Sequence, residues 1–202
     1  MPNAATASAV TYVETIPLVQ DDARRILADY AGIRSHTPGL HTVDLLRRRG
    51  VTGQFVLVET GSLSAVSSGA TATARDAALA PLLIAPCDIR THAALSVAPA
   101  DGGAMPDGAL WVVTHVDVVP AHKDNGVARV RRLAGDSRGE RGCLRFEAWQ
   151  QTDRPNHMTL VEVWADEGAH DDHRVADDTR GFRDLLASFS GALYDERVYT
   201  RV

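Results

Sequence analysis

The most informative stretch of the sequence is His157-Met-Thr-Leu-Val-Glu-Val-Trp164, followed by Ala165-Asp-Glu-Gly-Ala-His170-Asp-Asp-His173. The first part predicts a strand, because Leu160, Glu162 and Trp164 alternate with two valines, which is the two-residue period of a strand. The second part predicts a short polar helix, for which Asp166 is a suitable N-cap. The stretch is therefore a strand that runs directly into a helix.

Four side chains of this stretch can take part in chemistry. Trp164 ends the strand, and Glu162 lies two residues earlier on the same face. His170 and His173 share one face of the helix because they are three residues apart. A structural interpretation stays open, in which Trp164 packs in the core and the histidines are partly exposed helix residues. A metal site built from two histidines and one carboxylate is disfavoured, and we expect no metal ligand set.

The composition is typical of an ordinary globular protein. The chain has 202 residues, of which 45% are apolar and 23% charged, so it can form one large domain or two small ones. A net charge of −5 and the lack of a basic patch argue against a nucleic-acid partner. No apolar run is long enough for a membrane span and no signal peptide is recognisable, so we expect a cytoplasmic protein. The two cysteines, Cys87 and Cys143, are expected to be reduced thiols.

The order of predicted elements is the same in both halves. Residues 1–9 are expected to be a frayed leader. The first half predicts strands at 10–19, 40–47, 54–60 and 87–95, with helices at 22–34 and 65–83. A Pro- and Gly-rich linker is predicted at 96–108. The second half predicts strands at 110–119, 143–150, 157–164 and 194–202, with helices at 120–134 and 178–193.

A near-constant offset relates the two halves. The segment 55–59 matches 158–162 at an offset of 103, and 87–90 matches 194–197 at 107. The first strand of each half, 11–19 and 111–119, matches at an offset of 100. A βαββαβ unit used twice explains this order. We therefore predict an α+β fold of two ferredoxin-like domains, at 10–95 and 109–202.

The second half also carries a combination of motifs. It contains Gly142-Cys-Leu-Arg-Phe-Glu147, Asp153-Arg-Pro-Asn156, the strand ending at Trp164, and a histidine nine residues after that Trp. In this order the motifs resemble the antibiotic biosynthesis monooxygenase (ABM) domain of the dimeric α+β-barrel superfamily. The resemblance implies that the two domains pack sheet-to-sheet as an internal dimeric α+β barrel. Such an internal pseudo-dimer leaves open whether whole chains also form a homodimer.

The first half lacks the residues that carry the resemblance. Gly61 stands where Trp164 would fall, and Ala70 stands where His173 would fall. We therefore expect residues 10–95 to be a degenerate ABM-like domain and a structural partner. The functional pocket is expected in residues 109–202, with one pocket per chain.

The resemblance also implies an activity. Family members with assigned oxygenase activity oxidise aromatic polyketide phenols or anthrones to quinones with dioxygen and without a cofactor. The expected partners are thus a small aromatic substrate and dioxygen, with Trp164, His170 and His173 as catalytic residues. His170 takes the place of a Tyr in the quinone-forming type, and Leu160 stands where an Asn would be useful. The expected substrate-binding residues are His115, Leu160, Glu162, Phe182, Leu186 and Phe189.

Two other functions stay open on the same scaffold. One is a cyclase or isomerase that uses His170 or His115 for proton transfer. The other is a non-catalytic barrel that binds a ligand or haem. Haem-degrading relatives use an Asn on the first strand, whereas Thr114 or His115 occupies that region here.

Overall fold

The computed structural model describes residues 6–67, 69–98, 105–192 and 194–202. These residues form two compact units. One contains the described residues up to His92 together with Thr200–Val202, and the other contains Ala93–Tyr199. Met1 to Ala5 and residues 99–104 of the predicted linker lie outside the described residues. The domain boundaries predicted at 95 and 109 stay predictions.

The first unit has the element order β-α-β-β-α-β. Its elements are β1 (Thr6–Glu14), α1 (Gln20–Ser35), β2 (Leu40–Arg48), β3 (Gln54–Ser62), the short α2 (Leu63–Val66), α3 (Gly69–Leu79) and β4 (Asp88–Ser96), whose residues from Ala93 onward belong to the other unit. Strand β3 pairs antiparallel with both β1 and β2. One face of this sheet packs on the apolar sides of the helices, and the buried cluster includes Leu27, Tyr30, Phe55, Leu57 and Leu79.

The second unit repeats this order with a longer helix after its third strand. Its elements are β5 (Leu110–Asp117), α4 (Lys123–Ser137), β6 (Cys143–Gln151), β7 (His157–Trp164), α5 (Glu167–Val175), α6 (Asp177–Leu186) and β8 (Asp195–Arg201). The strands lie in the antiparallel order β8-β5-β7-β6. The predicted α+β fold with tandem ferredoxin-like units is confirmed. The packing of the two sheets against each other stays a prediction.

Backbone details show that the two units are repeats. A β-bulge interrupts β2 between Leu40 and Thr42, and β6 has one between Cys143 and Arg145, 103 residues later. The turn before each bulge has a glycine with positive φ, 88° at Gly39 and 81° at Gly142. These residues adopt a conformation that side chains with a Cβ rarely take. The offset of 103 is therefore a property of the structure.

The alignment of the first strands at an offset of 100 was wrong. Val10 pairs with Val58, and Val113 pairs with Val161, so β1 and β5 also match at 103. The shifted alignment brings Val10-Thr-Tyr-Val-Glu-Thr-Ile-Pro17 onto Val113-Thr-His-Val-Asp-Val-Val-Pro120. Nearly every residue of β5 is buried, so alternation of apolar and polar residues does not define its register. The pairing of β5 with β7 defines this register.

Two predicted helices differ from those observed. The helix predicted at 65–83 is divided into α2 and α3, and a 3-10 turn at Ala80–Leu82 follows. The helix predicted at 178–193 ends at Leu186, and the N–H groups of Ser188 and Phe189 then donate to carbonyls three residues earlier instead of four. Both cysteines are free, and both are half-buried. No helix in the described ranges is long and apolar enough to cross a membrane.

Candidate functional site

Two buried glutamates occupy the same position in the two units but have different partners. Glu59 on β3 and Glu162 on β7 are 103 residues apart, and their exposed fractions are 3% and 2%. In the first unit, Arg34 Nε donates to Glu59 Oε1 at 2.6 Å, and the Tyr30 hydroxyl lies 3.3 Å from Glu59 Oε2. The guanidinium of Arg34 is itself buried and also donates to the Ala65 carbonyl at 2.7 Å. Glu59 is therefore a paired structural carboxylate.

The second unit lacks this ion pair. Ser137 stands at the position of Arg34, and Leu133 stands at the position of Tyr30, each 103 residues later. Glu162 instead accepts hydrogen bonds from Trp164 Nε1 at 3.0 Å and from the Thr114 hydroxyl at 3.4 Å. Burial raises the pKa of Glu162 to about 8, and these two hydrogen bonds only partly oppose this shift. The Glu162 carboxyl is therefore mostly protonated at neutral pH.

Trp164 ends β7 and is fully buried. Its ring packs edge-on against Phe146, with centroids 6.3 Å apart. It belongs to one apolar cluster with the predicted pocket residues Leu160, Phe182, Leu186 and Phe189. The structure thus brings these four residues together with Trp164 on the side of the sheet that faces α4 and α6. Gly61 at the same repeat position leaves no room for a side chain, because a Cβ there would lie 2.4 Å from the Gly39 carbonyl oxygen.

Helix α5 is the segment that most distinguishes the second unit. It has nine residues, compared with four in α2. Past this helix the offset rises to 107, since Thr15 bridges to Leu83 and Val118 bridges to Ser190. The Asp166 side chain caps α5 by accepting a hydrogen bond from the Ala169 N–H at 2.8 Å, as predicted. The added residues lie in the segment that supplies both histidines.

His173 is enclosed between two glutamates and the indole of Trp164. Its Nδ1 lies 3.0 Å from both carboxylate oxygens of Glu140, and its Nε2 lies 3.9 Å from Glu162 Oε2. The Thr179 hydroxyl lies 3.3 Å from Nδ1. Burial lowers the pKa of His173, although the Glu140 carboxylate opposes this shift. The ring is 3% exposed, so it is a core residue rather than a surface one.

His170 is also buried, one turn earlier on α5. Its Nε2 has no hydrogen-bond partner among the described residues and lies 3.7 Å from Glu196 Oε1. Burial lowers the pKa of His170, although Glu196 opposes the shift, so the imidazole is mostly neutral at pH 7. Its ring centroid lies 6.2 Å from that of Trp164. A buried neutral nitrogen of this kind can accept a hydrogen bond from a ligand.

His115 is not part of this cluster. It lies opposite Thr159 in the pairing of β5 with β7, and its Nδ1 is 3.4 Å from the Thr159 hydroxyl. The neighbouring residue Thr114 reaches Glu162, so His115 points to the other face of the sheet. The alternation of the strand therefore places His115 and Trp164 on opposite faces of the sheet. The role of His115 in substrate binding stays a prediction.

Four polar residues of the site were not predicted from the sequence. These are Glu140, Thr179, Arg183 and Glu196. Arg183 Nη2 donates to Glu196 Oε2 at 2.7 Å, and Glu140 contacts His173 from the turn after α4. Each lies far from Trp164 in sequence, so only the fold brings them close. Among the described residues, no group of three His, Cys, Asp or Glu is arranged to hold a metal ion.

Comparisons with known proteins add a family and a fold. Residues 109–185 match the family described as antibiotic biosynthesis monooxygenase. A provisionally assigned monooxygenase from Fusobacterium nucleatum is 14% identical over 98% of this chain and 93% of its own, with a TM-score of 0.84. A second, from Lactobacillus acidophilus, is 13% identical over 98% and 94%, with a TM-score of 0.76.

A third solved structure is an anthrone oxidase-like protein. It is 10% identical over 100% of this chain and 92% of its own, with a TM-score of 0.70. At these identities the three structures establish the fold alone. No curated protein matches the chain. The chain is thus a tandem ferredoxin-like protein in which residues 109–185 match the antibiotic biosynthesis monooxygenase family.

Proposed function

We propose that this protein is a cofactor-independent monooxygenase that oxidises an aromatic, polyketide-like phenol or anthrone to a quinone with dioxygen. One observation carries the proposal. In the unit that matches the family, the buried Trp164 stacks on His173, donates a hydrogen bond to the buried Glu162, and lies with its ring centroid 6.2 Å from that of His170. The fold similarity to an anthrone oxidase-like protein favours the same substrate class.

The reaction requires little from the protein beyond binding, proton transfer and exclusion of water. At the reacting carbon the substrate loses two hydrogens and gains one oxygen atom, and the second oxygen atom leaves as water. An electron-rich substrate anion can reduce dioxygen directly, so the protein must favour that anion. The buried Nε2 of His170 is suited to accept the substrate proton, because its imidazole is neutral near pH 7. The protonated Glu162 can donate a proton to the developing peroxide anion.

The aromatic substrate needs space beside Trp164. A cavity of about 170 Å³ lies between α4 and α6. Leu133 and Phe182 of the apolar cluster form part of its wall, and most of the other lining residues are charged. Ligand pockets for molecules of this size measure roughly 300–1,000 Å³. The cavity is smaller than this range, and we propose that the substrate approaches Trp164 from the side of the cluster that Leu133 and Phe182 form.

A second function uses the same groups without oxygen. His170 as a base and Glu162 as an acid form the pair that a cyclase or isomerase needs to move a proton within one substrate. Oxygen dependence separates the two functions. Turnover at the same rate under anaerobic conditions would favour the isomerase.

The direct test is anthrone oxidation by protein prepared without metal. Oxygen uptake and quinone absorbance are measured together, with a folded His170→Ala variant as the control for spontaneous oxidation. We expect one oxygen molecule to be consumed for each quinone formed. Activity that a chelator abolishes and iron restores would contradict the cofactor-independent mechanism. A Soret band on titration with haem, without oxidation of any anthrone, would instead favour a haem-binding protein.

A further inference from the structure

We propose that Glu140, His173 and Glu162 form a proton relay that connects solvent with the buried surface beside Trp164. The inference rests on the proposed function, because the relay supplies and removes the protons of a reaction at that surface. It adds Glu140, a residue outside the apolar pocket, as a positioning residue that acts through His173.

The outer half of the relay is a formed contact. Glu140 lies in the turn between α4 and β6, and its side chain is 25% exposed, so water reaches its carboxyl group. Both of its oxygens lie 3.0 Å from His173 Nδ1, within hydrogen-bond distance. The Thr179 hydroxyl lies near the same ring and helps to hold it. A proton can thus pass between Glu140 and the buried imidazole without exposing that ring.

The inner half of the relay requires His173 and Glu162 to move closer together. His173 Nε2 lies 3.9 Å from Glu162 Oε2, which is about 1 Å beyond hydrogen-bond distance. Trp164 contacts both groups. Its indole stacks on the His173 ring, with centroids 4.6 Å apart, and its Nε1 donates to Glu162 Oε2 at 3.0 Å. A small shift of the ring toward Glu162 closes this gap.

The protonation states suit transfer in either direction. Burial raises the pKa of Glu162 to about 8 and lowers the pKa of His173, so both groups are neutral near pH 7. When Glu162 gives its proton to Nε2, the Nδ1 proton moves to the Glu140 carboxylate, and the imidazole stays neutral overall. The reverse sequence returns a proton to Glu162. The other titratable or charged groups around the relay are His170 on α5, Arg183 on α6, Glu196 on β8, Tyr194 before β8 and Cys143 on β6.

The first unit shows that the fold does not require these groups. Thr37 stands at the position of Glu140, and Glu59 is held by Arg34 rather than by a histidine. The turn is otherwise the same, since Leu40 N–H donates to the Thr37 carbonyl and Cys143 N–H donates to the Glu140 carbonyl. The acidic side chain of Glu140 is therefore an addition to a turn that forms without it.

The test follows the Glu162 proton directly by infrared spectroscopy after a rapid change of pH across 8. Glu162→Gln assigns the carboxylic-acid band. In Glu140→Gln we expect this band to respond on the order of 10-fold more slowly, which is less than the loss for a group that touches the reacting atoms. The matched control is Glu167→Gln, which removes one exposed carboxylate from the same region and should leave the rate unchanged. Equal rates in wild type and Glu140→Gln would overturn the relay.

Single-turnover oxidation provides a second readout. Glu140→Gln should slow anthrone oxidation by a similar factor and raise the solvent isotope effect, while circular dichroism confirms the fold. His173→Asn should show the same two changes, which tests the relay with a second variant. A slower rate with an unchanged isotope effect would indicate a merely structural role and would contradict the relay. If no anthrone is oxidised at all, the proposed function is wrong, and the infrared experiment still decides whether the relay exists.

Discussion

The imidazole of His173 stacks on the indole of Trp164, with ring centroids 4.6 Å apart and an angle of 29° between the planes. Both rings direct a nitrogen toward Glu162 Oε2, Trp164 Nε1 at 3.0 Å and His173 Nε2 at 3.9 Å. One carboxyl oxygen thus joins the strand that ends at Trp164 to the helix that follows it. A change at Trp164 should therefore alter the protonation of both Glu162 and His173.

The two histidines of α5 should differ in their effect on turnover. His170 has a buried nitrogen without a hydrogen-bond partner in the described part of the chain, so His170→Ala should lower the single-turnover rate on the order of 10²-fold. His173→Ala should lower it less, because His173 acts through Glu162. Circular dichroism must show that both variants are folded. A wild-type rate in folded His170→Ala would exclude this histidine and would direct attention to His115.

Trp164→Phe should separate binding from chemistry. The substitution keeps an aromatic ring in the apolar cluster but removes the hydrogen bond to Glu162. Since that hydrogen bond lowers the pKa of Glu162, its loss should raise the pKa further. We expect a higher KM, a folded protein and an infrared titration of Glu162 displaced to higher pH. A titration displaced to lower pH would contradict the assigned hydrogen bond.

Glu162 should make the protein less stable as pH rises. Its usual pKa of 4.5 is raised to about 8 in the folded protein, so between these values the folded state binds a proton that the unfolded state releases. The free energy of unfolding then falls with rising pH, by up to about 1.4 kcal/mol per pH unit, and is constant above pH 8. Chemical denaturation at several pH values measures the slope.

The matched variant for this slope is Glu162→Gln, which can still accept the hydrogen bond of Trp164. The pKa values of His170 and His173 are lowered from a usual 6.5, so these groups contribute stability above that pH and lose it as pH falls. Below pH 6.5 the effect of these histidines on stability is opposite in sign to that of Glu162. Wild type and Glu162→Gln are therefore compared between pH 6.5 and 8. Glu162→Gln should abolish the decline there. An unchanged decline would show that another group causes it.

The repeat offers a matched pair of stability variants. Arg34→Ala leaves the buried Glu59 carboxylate unpaired, and should lower the free energy of unfolding by about 3–5 kcal/mol. Ser137→Ala at the equivalent position removes a buried hydroxyl without a hydrogen-bond partner among the described residues, and should change it by less than about 1 kcal/mol. Urea denaturation of both variants measures the difference. Similar losses in the two would contradict the assignment of Glu59 as the paired glutamate.

Each chain should bind one aromatic ligand. The first unit has Gly61 where the second has Trp164, and its buried glutamate is already held by Arg34. Titration with a tightly binding anthrone analogue, followed by calorimetry, should saturate near one equivalent. Two equal sites per chain would show that the first unit keeps a pocket of its own.

The fold class and the repeat were predictable from the amino-acid sequence alone. Alternating apolar residues around Trp164, the Asp166 cap and the recurrence of Phe55–Glu59 at 158–162 are local patterns, and each depends only on backbone geometry. The same patterns placed Trp164 on one face with Leu160 and predicted its contact with Phe182, Leu186 and Phe189. These patterns do not define the register of a strand that is buried on both faces. The alignment of β5 with β1 was therefore wrong by three residues.

The burial and the pKa values of the site residues depend on the tertiary fold and could not be predicted from the sequence. Glu59 and Glu162 are indistinguishable along the strands, and their difference comes from residues about 25 positions earlier, Arg34 in one unit and Ser137 in the other. His170 and His173 look exposed in a polar stretch, yet the fold buries both. A pKa depends on desolvation and on charges within a few ångströms, and neither is encoded locally. The partners Glu140 and Glu196 therefore became visible only once the turn after α4 and strand β8 were in place.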